Sequence, residues 1–220
     1  AAIGQDFVRA AKEEADIDIE VTSGEQEAVY IYKGVKATGL IQQPSLVMDI
    51  GGASTEFIIC DRENLLWKKS YNIGAARLMQ AFFKSDPISH ADQQQIMTHL
   101  DETLQDLIVA CQTHQPTQLI GSAGAFETFA AMLTTDIDLG VAHSIPLNLD
   151  DYLQLAEKLI ASSHEERDAM PELVKIRVDM IVMACMLTNY VVEHCNISSM
   201  SLSTYDLKMG VLYEQADLES

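Results

Sequence analysis

The apolar positions of the chain fall into blocks with two kinds of spacing, and each spacing predicts its element. Ile3, Phe7, Ala10 and Ala11 recur at helical intervals, so Ile3 to Ala15 reads as a helix. Ile17 to Val21 alternates apolar and acidic residues, as a half-buried strand does. Ser23 opens a second helix, with Gln26 three residues on as a capping-box partner. Val29, Tyr32, Val35 and Lys36 carry that helix forward, and Gly39 ends it. The polar stretch Gln42-Gln43-Pro44 marks the expected domain boundary.

Beyond that boundary the order of blocks becomes informative. Ser45 to Ile50 is a continuous apolar strand, and Glu56 to Cys60 and Leu65 to Tyr71 follow after short turns. Such spacing predicts an antiparallel meander. A helix begins after Gly74, with Ala75, Leu78, Met79 and Phe82 on one face, and a longer one runs from about Ala91 to His114. Gln118 to Ile120 is a short strand, and Phe126, Phe129, Ala130 and Leu133 mark another helix. Asp151 to Ala161 and Pro171 to His194 read as two further helices. Ser199 to Ser203 is the last strand, and Leu207 to Leu212 opens the last helix. The resulting order, β-β-β-α-β-α-β-α with inserted helices, is that of the α/β ribonuclease-H-like fold of sugar kinases, actin and Hsp70. It predicts a mixed five-stranded sheet with helices on both faces.

Charge narrows the chemistry. The 220 residues carry 14 basic against 33 acidic side chains, a formal net charge of −19. Such a surface repels long polyanions and lacks the basic footprint of a nucleic-acid binder. A phosphate site in this chain must therefore rest on backbone N–H groups and metal rather than on lysine clusters. No apolar run is long enough for a membrane span: Met180 to Val192 is the most apolar stretch and contains Thr188 and Asn189. Nor does the start read as a secretory leader. The four cysteines show no C-x-x-C spacing; three lie in apolar surroundings and Cys195 near a helix end, which points to reduced thiols and a cytoplasmic location.

One string carries most of the chemistry: Val47-Met48-Asp49-Ile50-Gly51-Gly52-Ala53-Ser54-Thr55-Glu56. An apolar strand runs to an acid, then to small residues, two hydroxyls and a second acid. Glycines in a turn let backbone N–H groups converge on an anion. Ser54 and Thr55 add hydroxyl donors, and Asp49 and Glu56 are placed to hold a magnesium ion through water. A plain Gly-Gly hairpin turn is the competing reading. A second candidate, Gly121 to Gly124, joins a strand to a helix, where Gly121, Ser122 and Gly124 can bind phosphate or can simply allow tight packing. Arg77 and Arg177 are candidate phosphate clamps.

The Asp49–Glu56 string resembles the second phosphate loop of the exopolyphosphatase / guanosine pentaphosphate phosphohydrolase family, Asp-x-Gly-Gly-Gly-Ser-Thr-Glu. Further stretches are similar in the same order. Val21-Thr22-Ser23-Gly24-Glu25-Gln26-Glu27-Ala28 resembles the family's Ile-Ser-Gly-x-Glu-Glu-Ala, and Asn72 to Leu78 its Leu-Gly-x-x-Arg-Leu helix start. Gly121 to Phe126 sits where the family has Gly-Thr-Gly-Gly-Thr, and Tyr205 to Gly210 resembles its closing Leu-Arg-Glu-Gly helix. The resemblance implies a magnesium-dependent hydrolase of polyphosphate or guanosine pentaphosphate, with Glu27 activating the attacking water. Phosphate would be held by Gly51, Gly52, Ala53, Ser54, Thr55, Gly121, Ser122 and Gly124, and metal by Asp49 and Glu56. From the residues alone Glu25 is an equal candidate for the base, and a dipole-stabilising acid is the plainer role for either.

The chain also departs from the family pattern. It contains no Asp-x-Gly-Ser-Asn-Ser/Thr string, the family's first phosphate loop. Residues 1–43 accordingly read as the end of a first lobe and 44–220 as a second. The expectation is a chain truncated at its N-terminus and inactive by itself. On the same reading Ile17 to Val21 is an open edge strand, available to a second copy of the chain in a homodimer. Ala53 stands where the family has a third glycine and is expected to keep a negative φ. Ala123 and Ala125 dilute the third loop. The alternatives are a kinase or ATPase of the same superfamily, revealed by phosphoryl transfer to an acceptor other than water, and a non-catalytic binding module.

Overall fold

The computed structural model describes residues 2–134 and 141–218. Ala1 and Ser220, the outer bounds of the two expected lobes, and the side chain of Ile3 lie outside the described residues. In chain order the elements are helix α1 (Ala2–Ala15), helix α2 (Gly24–Ala37), strands β1 (Ser45–Ile50), β2 (Thr55–Cys60) and β3 (Leu65–Tyr71), and helices α3 (Ala75–Phe82), α4 (His90–Thr103) and α5 (Gln105–His114). Then follow β4 (Gln118–Ser122), α6 (Gly124–Leu133), β5 (Ser144–Leu147), α7 (Leu149–Ala161), α8 (His164–Asp168), a 3-10 turn at Lys175–Arg177, α9 (Met180–His194), β6 (Ser199–Ser203) and α10 (Leu207–Leu218).

The strands form one mixed sheet in the order β3-β2-β1-β4-β6-β5. The expected meander is present, with β1–β2 and β2–β3 antiparallel, while β1–β4 and β4–β6 are parallel. Their register lines up Asp49, Ser122 and Ser203 across the sheet. The carboxyl ends of three parallel strands thus open on one edge, where ligands gather in folds of this kind. β1 and β2 are buried along almost their whole length, as strands covered on both faces must be.

The larger core, on one face, joins Leu46, Phe57, Phe126 and Phe129 to α9 residues such as Met183 and Met186. The smaller core packs α2, through Ala28, Ile31 and Val35, on Val47, Ile58 and Ile120. α10 crosses α2 so closely that a Cβ on Gly210 would lie 1.7 Å from the Tyr30 carbonyl oxygen, and one on Gly34 would lie 2.4 Å from that of Asp206. Only glycine fits at that crossing. Among the described residues no helix is long and apolar enough to cross a membrane.

Four expectations need correction. The sheet has six strands, not five: β5 pairs antiparallel with β6 at the edge. Its Pro146 points to solvent, and a residue with no N–H is tolerated at an edge, which is why the segment does not read as a strand. Ile17 to Val21 is not a strand. The chain leaves α1 through Asp16 at φ 54°, Lys12 pairs with Asp16 and Asp18, and Ile17 and Val21 remain exposed. Among the described residues the alternation there has no ladder to serve. The long helix expected over Ala91 to His114 is divided at Leu104. Finally, α9 starts at Met180 rather than Pro171. The buried Arg167 guanidinium donates to the Val178 carbonyl at 2.7 Å and to Asp86 and Asp179 at 3.0 Å each, which holds residues 175–179 out of the helix.

Candidate active site

The turn between β1 and β2 is built from Gly51, Gly52, Ala53 and Ser54. The Gly51 N–H donates to the Ser54 carbonyl at 3.0 Å, which closes the hairpin. The start of α3 then takes up the turn's other carbonyls. Gly74 N–H donates to Ala53 O at 3.1 Å, Ala75 N–H to Gly51 O at 2.9 Å and Arg77 N–H to Gly52 O at 3.1 Å. Arg77 adds its Nε–H to the Ala53 carbonyl at 3.1 Å. Carbonyls are therefore turned towards α3, and among the described residues no protein acceptor takes the N–H groups of Gly52, Ala53 or Ser54. Converging free amides of this sort make an anion seat. Ala53 is not among the residues with positive φ, in line with expectation.

Carboxylates gather beside this turn. Asp49 and Glu56 are cross-strand partners in the β1–β2 ladder. The buried Glu56 accepts a 2.6 Å hydrogen bond from the Ser70 hydroxyl, which fixes its direction. The half-buried Asp49 carboxyl is pushed up to about 7, first by burial, then by the charges of Glu56 and Asp206. The Ser122 hydroxyl is buried beside Asp49 without a well-formed hydrogen bond of its own. Glu27, in the first turn of α2, is raised by burial and by Glu56. Glu25 instead faces outward, and its carboxylate binds Lys68 Nζ at 2.6 Å. The two acids that sequence left as equals are thus separated by two residues of helix, which turns them to different sides: one joins the group of carboxylates and the other joins a surface ion pair.

Asp206 was not anticipated as a site residue. Its Oδ1 accepts from Lys208 N–H at 2.9 Å at the start of α10, and Lys208 Nζ lies 3.1 Å from its Oδ2. The crossing of α10 over α2 brings it to Asp49. The one sequence signal was an acid just before an apolar helix start, which reads as a cap.

Some of the proposed phosphate ligands are otherwise engaged. The Thr55 hydroxyl is buried in β2 and donates to the Ile73 carbonyl at 3.2 Å. Gly121 and Ser122 lie inside β4 rather than in a loop. A Cβ on Gly121 would sit 2.0 Å from the Phe126 ring, so this glycine makes room for packing. The turn proper is Ala123 and Gly124. Ala123 has φ 54° and ψ −169°, a region that only glycine occupies without strain, and Gly124 has φ 49°.

Between the two turns lies a cavity of about 300 Å³, lined by Ile50, Gly52, Ala75, Ala125, Arg177 and Met180 among others. Its wall is mostly apolar. Arg177 reaches it from the 3-10 turn, held by Thr128 Oγ1 at 2.9 Å and by Glu127 at 3.5 Å. Arg77, the other candidate clamp, braces the first turn from outside.

The fold recurs in known proteins. The family model described as the Ppx/GppA phosphatase family matches residues 1–219. A crystal structure of an exopolyphosphatase from Cytophaga hutchinsonii superposes with a TM-score of 0.93 at 38% identity, covering 97% of this chain and 70% of that one. A guanosine-5'-triphosphate,3'-diphosphate pyrophosphatase of Vibrio parahaemolyticus is 29% identical over 96% of this chain and 41% of its own. Exopolyphosphatase 2 of Mycobacterium tuberculosis is 25% identical over 87% of this chain and 62% of its own. The chain thus spans less than two thirds of the length of these two relatives. With the Asp49–Glu56 turn, the carboxylate group and the sheet order all in place, the chain belongs to the Ppx/GppA phosphatase family.

Proposed function

We propose that this chain supplies the general base and one phosphate-binding wall of a phosphoanhydride hydrolase acting on guanosine pentaphosphate or polyphosphate. Water attacks a terminal phosphoryl group, and the bond to the next phosphate's oxygen breaks. The observation that carries this reading is the row of unclaimed N–H groups at Gly52, Ala53 and Ser54 beside the Glu27, Asp49 and Glu56 carboxylates. Those amides suit the phosphate oxygens, whose charge must be stabilised as the phosphoryl group transfers. Glu27 takes the proton of the attacking water. Its raised proton affinity suits that role, because a base works best when its pKa approaches the working pH.

Asp49 and Glu56 fit a magnesium ion. Both offer hard oxygen donors, and the crowding that raises Asp49 is what a bound divalent cation would relieve. Among the described residues no group of three or more acidic, histidine or cysteine ligands is assembled for a metal. Water and phosphate oxygens would complete the shell, as is usual for magnesium. Bound there, the ion would neutralise charge on the phosphates.

Of the two substrates the cavity favours guanosine pentaphosphate. Its apolar wall suits a nucleoside, and polyphosphate has nothing to fill it. The sequence has no Asp-x-Gly-Ser-Asn string; on this reading a facing wall is supplied by residues other than these, and this chain alone should release little phosphate. The test is magnesium-dependent phosphate release in a longer protein that joins this chain to a first lobe. Glu27→Gln should lower kcat roughly 10²- to 10⁴-fold. Glu25→Gln should be mild, because its carboxylate serves Lys68. Equal losses at the two positions would show that the base is elsewhere, and transfer to an acceptor other than water would mark a kinase.

A further inference from the structure

At the edge of the sheet opposite the phosphate turn, two helices end side by side. α5 stops on Gln115 at φ 50° and α9 is followed by Asn196 at φ 54°, both left-handed. The strands that follow, β4 and β6, are parallel neighbours with Gln118 opposite Ser199. Thr117 O accepts from both Ser198 N–H at 2.9 Å and Ser199 N–H at 3.2 Å, which ties the two connections together. This arrangement brings Cys111, in the last turn of α5, up to Cys195, the residue that caps α9. Both line one open cavity of about 350 Å³, with Gln112, Gln115, Pro116 and Asn196. Both are free thiols, 4% and 3% exposed. The neighbouring Cys195 thiol, ahead of burial, holds the Cys111 thiol well above its ordinary range.

We propose that Cys111 and Cys195 form a dithiol modification site that closes to an intramolecular disulfide when a hydroperoxide enters this cavity. One thiolate attacks a peroxide oxygen, the O–O bond breaks and a sulfenic acid forms, with the departing oxygen leaving as water or alcohol. The second thiolate attacks that sulfur, the S–S bond forms and the sulfenic oxygen leaves as water. The two sulfurs together lose two electrons and the peroxide gains them. Thiolates are the reacting species, so closure should quicken as pH rises. The other thiols are poor rivals. Cys60 lies fully buried in β2 against the Ser45 carbonyl, and Cys185 is fully buried in the middle of α9. A Cys111–Cys195 bond would tie together the two helix ends that feed β4 and β6, far along the strands from the phosphate turn.

The site is tested by treating the native chain with hydrogen peroxide over a series of rising pH values, then alkylating and mapping peptides without reduction. The expected result is loss of two of the four thiols, a linked peptide pair carrying Cys111 and Cys195, and recovery of both thiols with dithiothreitol. In Cys195→Ser the linked pair should vanish. The wild-type map decides the matter whether or not that variant folds. Four intact thiols, a different linked pair, or oxygen adducts on Cys111 without linkage would overturn the proposal.

Discussion

The turn after β1 and the turn after β4 look alike in sequence and differ in physics. Both follow a buried strand at the same edge of the sheet, and both hold an alanine among small residues. The first is relaxed. Ala53 keeps a negative φ, α3 takes the turn's carbonyls, and its amides remain free. The second is tense. Ala123 occupies a glycine-only conformation, and the preceding Gly121 is consumed by the Phe126 ring. The lesson is that small residues in a loop do not by themselves make an anion site. What distinguishes the first turn is a neighbouring helix start that satisfies its carbonyls and so aims its N–H groups outward.

The largest effect should come from the carboxylates beside the relaxed turn. Asp49 keeps its proton up to about pH 7 in the folded chain, against an ordinary value of 3.8. Between these values the folded state holds more protons than the unfolded one. The contribution of this group to stability is therefore full below about pH 4 and is lost as pH rises through 7. Asp49→Asn imitates the protonated form. It should raise stability by roughly 2–4 kcal/mol at pH 8 without divalent cations, with less than half that gain at pH 5. Denaturant melts at the two pH values check this, and an equal change at both would remove Asp49 from the crowded group. Magnesium should stabilise the wild type at pH 8 and leave Asp49→Asn unmoved.

A smaller pair of effects sets the two turns against each other directly. Ala123→Gly should raise stability by about 1 kcal/mol, because relief of backbone strain outweighs the extra freedom of glycine in the unfolded chain. Ala53→Gly should lower stability by roughly 0.4–1 kcal/mol, since no strain is there to relieve. The same substitution thus has opposite signs in the two turns. Thermal melts of the two variants measure it, and a shared sign would mean that the turns do not differ as described.

Sequence carried some of this plainly and hid the rest for physical reasons. The run from Val47 to Glu56 announced a strand, a turn and a second strand, because alternation and glycine placement are local properties. Ser23 was legible as a helix cap, and its hydroxyl does accept from Gln26 N–H at 3.2 Å, although the reciprocal half of the expected box is absent among the described hydrogen bonds. Glu27 and Glu25 could not be separated in sequence, since their difference lies in which neighbour each meets across the fold. Asp206 was illegible for the same reason: α10 delivers it only by crossing α2 at Gly34 and Gly210. The conformation of Ala123 also escaped notice, because it belongs to the step from β4 directly into α6 and not to the residue type. Ile17 to Val21 shows the converse failure, a strand pattern that pairs with no strand among the described residues.

The central claim is that the Gly51–Ser54 turn, with Asp49 and Glu56, is where phosphate and metal meet. Backbone amide NMR during titration with pyrophosphate and magnesium tests it most directly. The account predicts that the N–H signals of Gly52, Ala53 and Ser54 move first and furthest, and that Asp49→Asn abolishes the magnesium-dependent part of the shift. Early, large shifts at Ala123 and Gly124, with Gly52 to Ser54 unmoved, would contradict it.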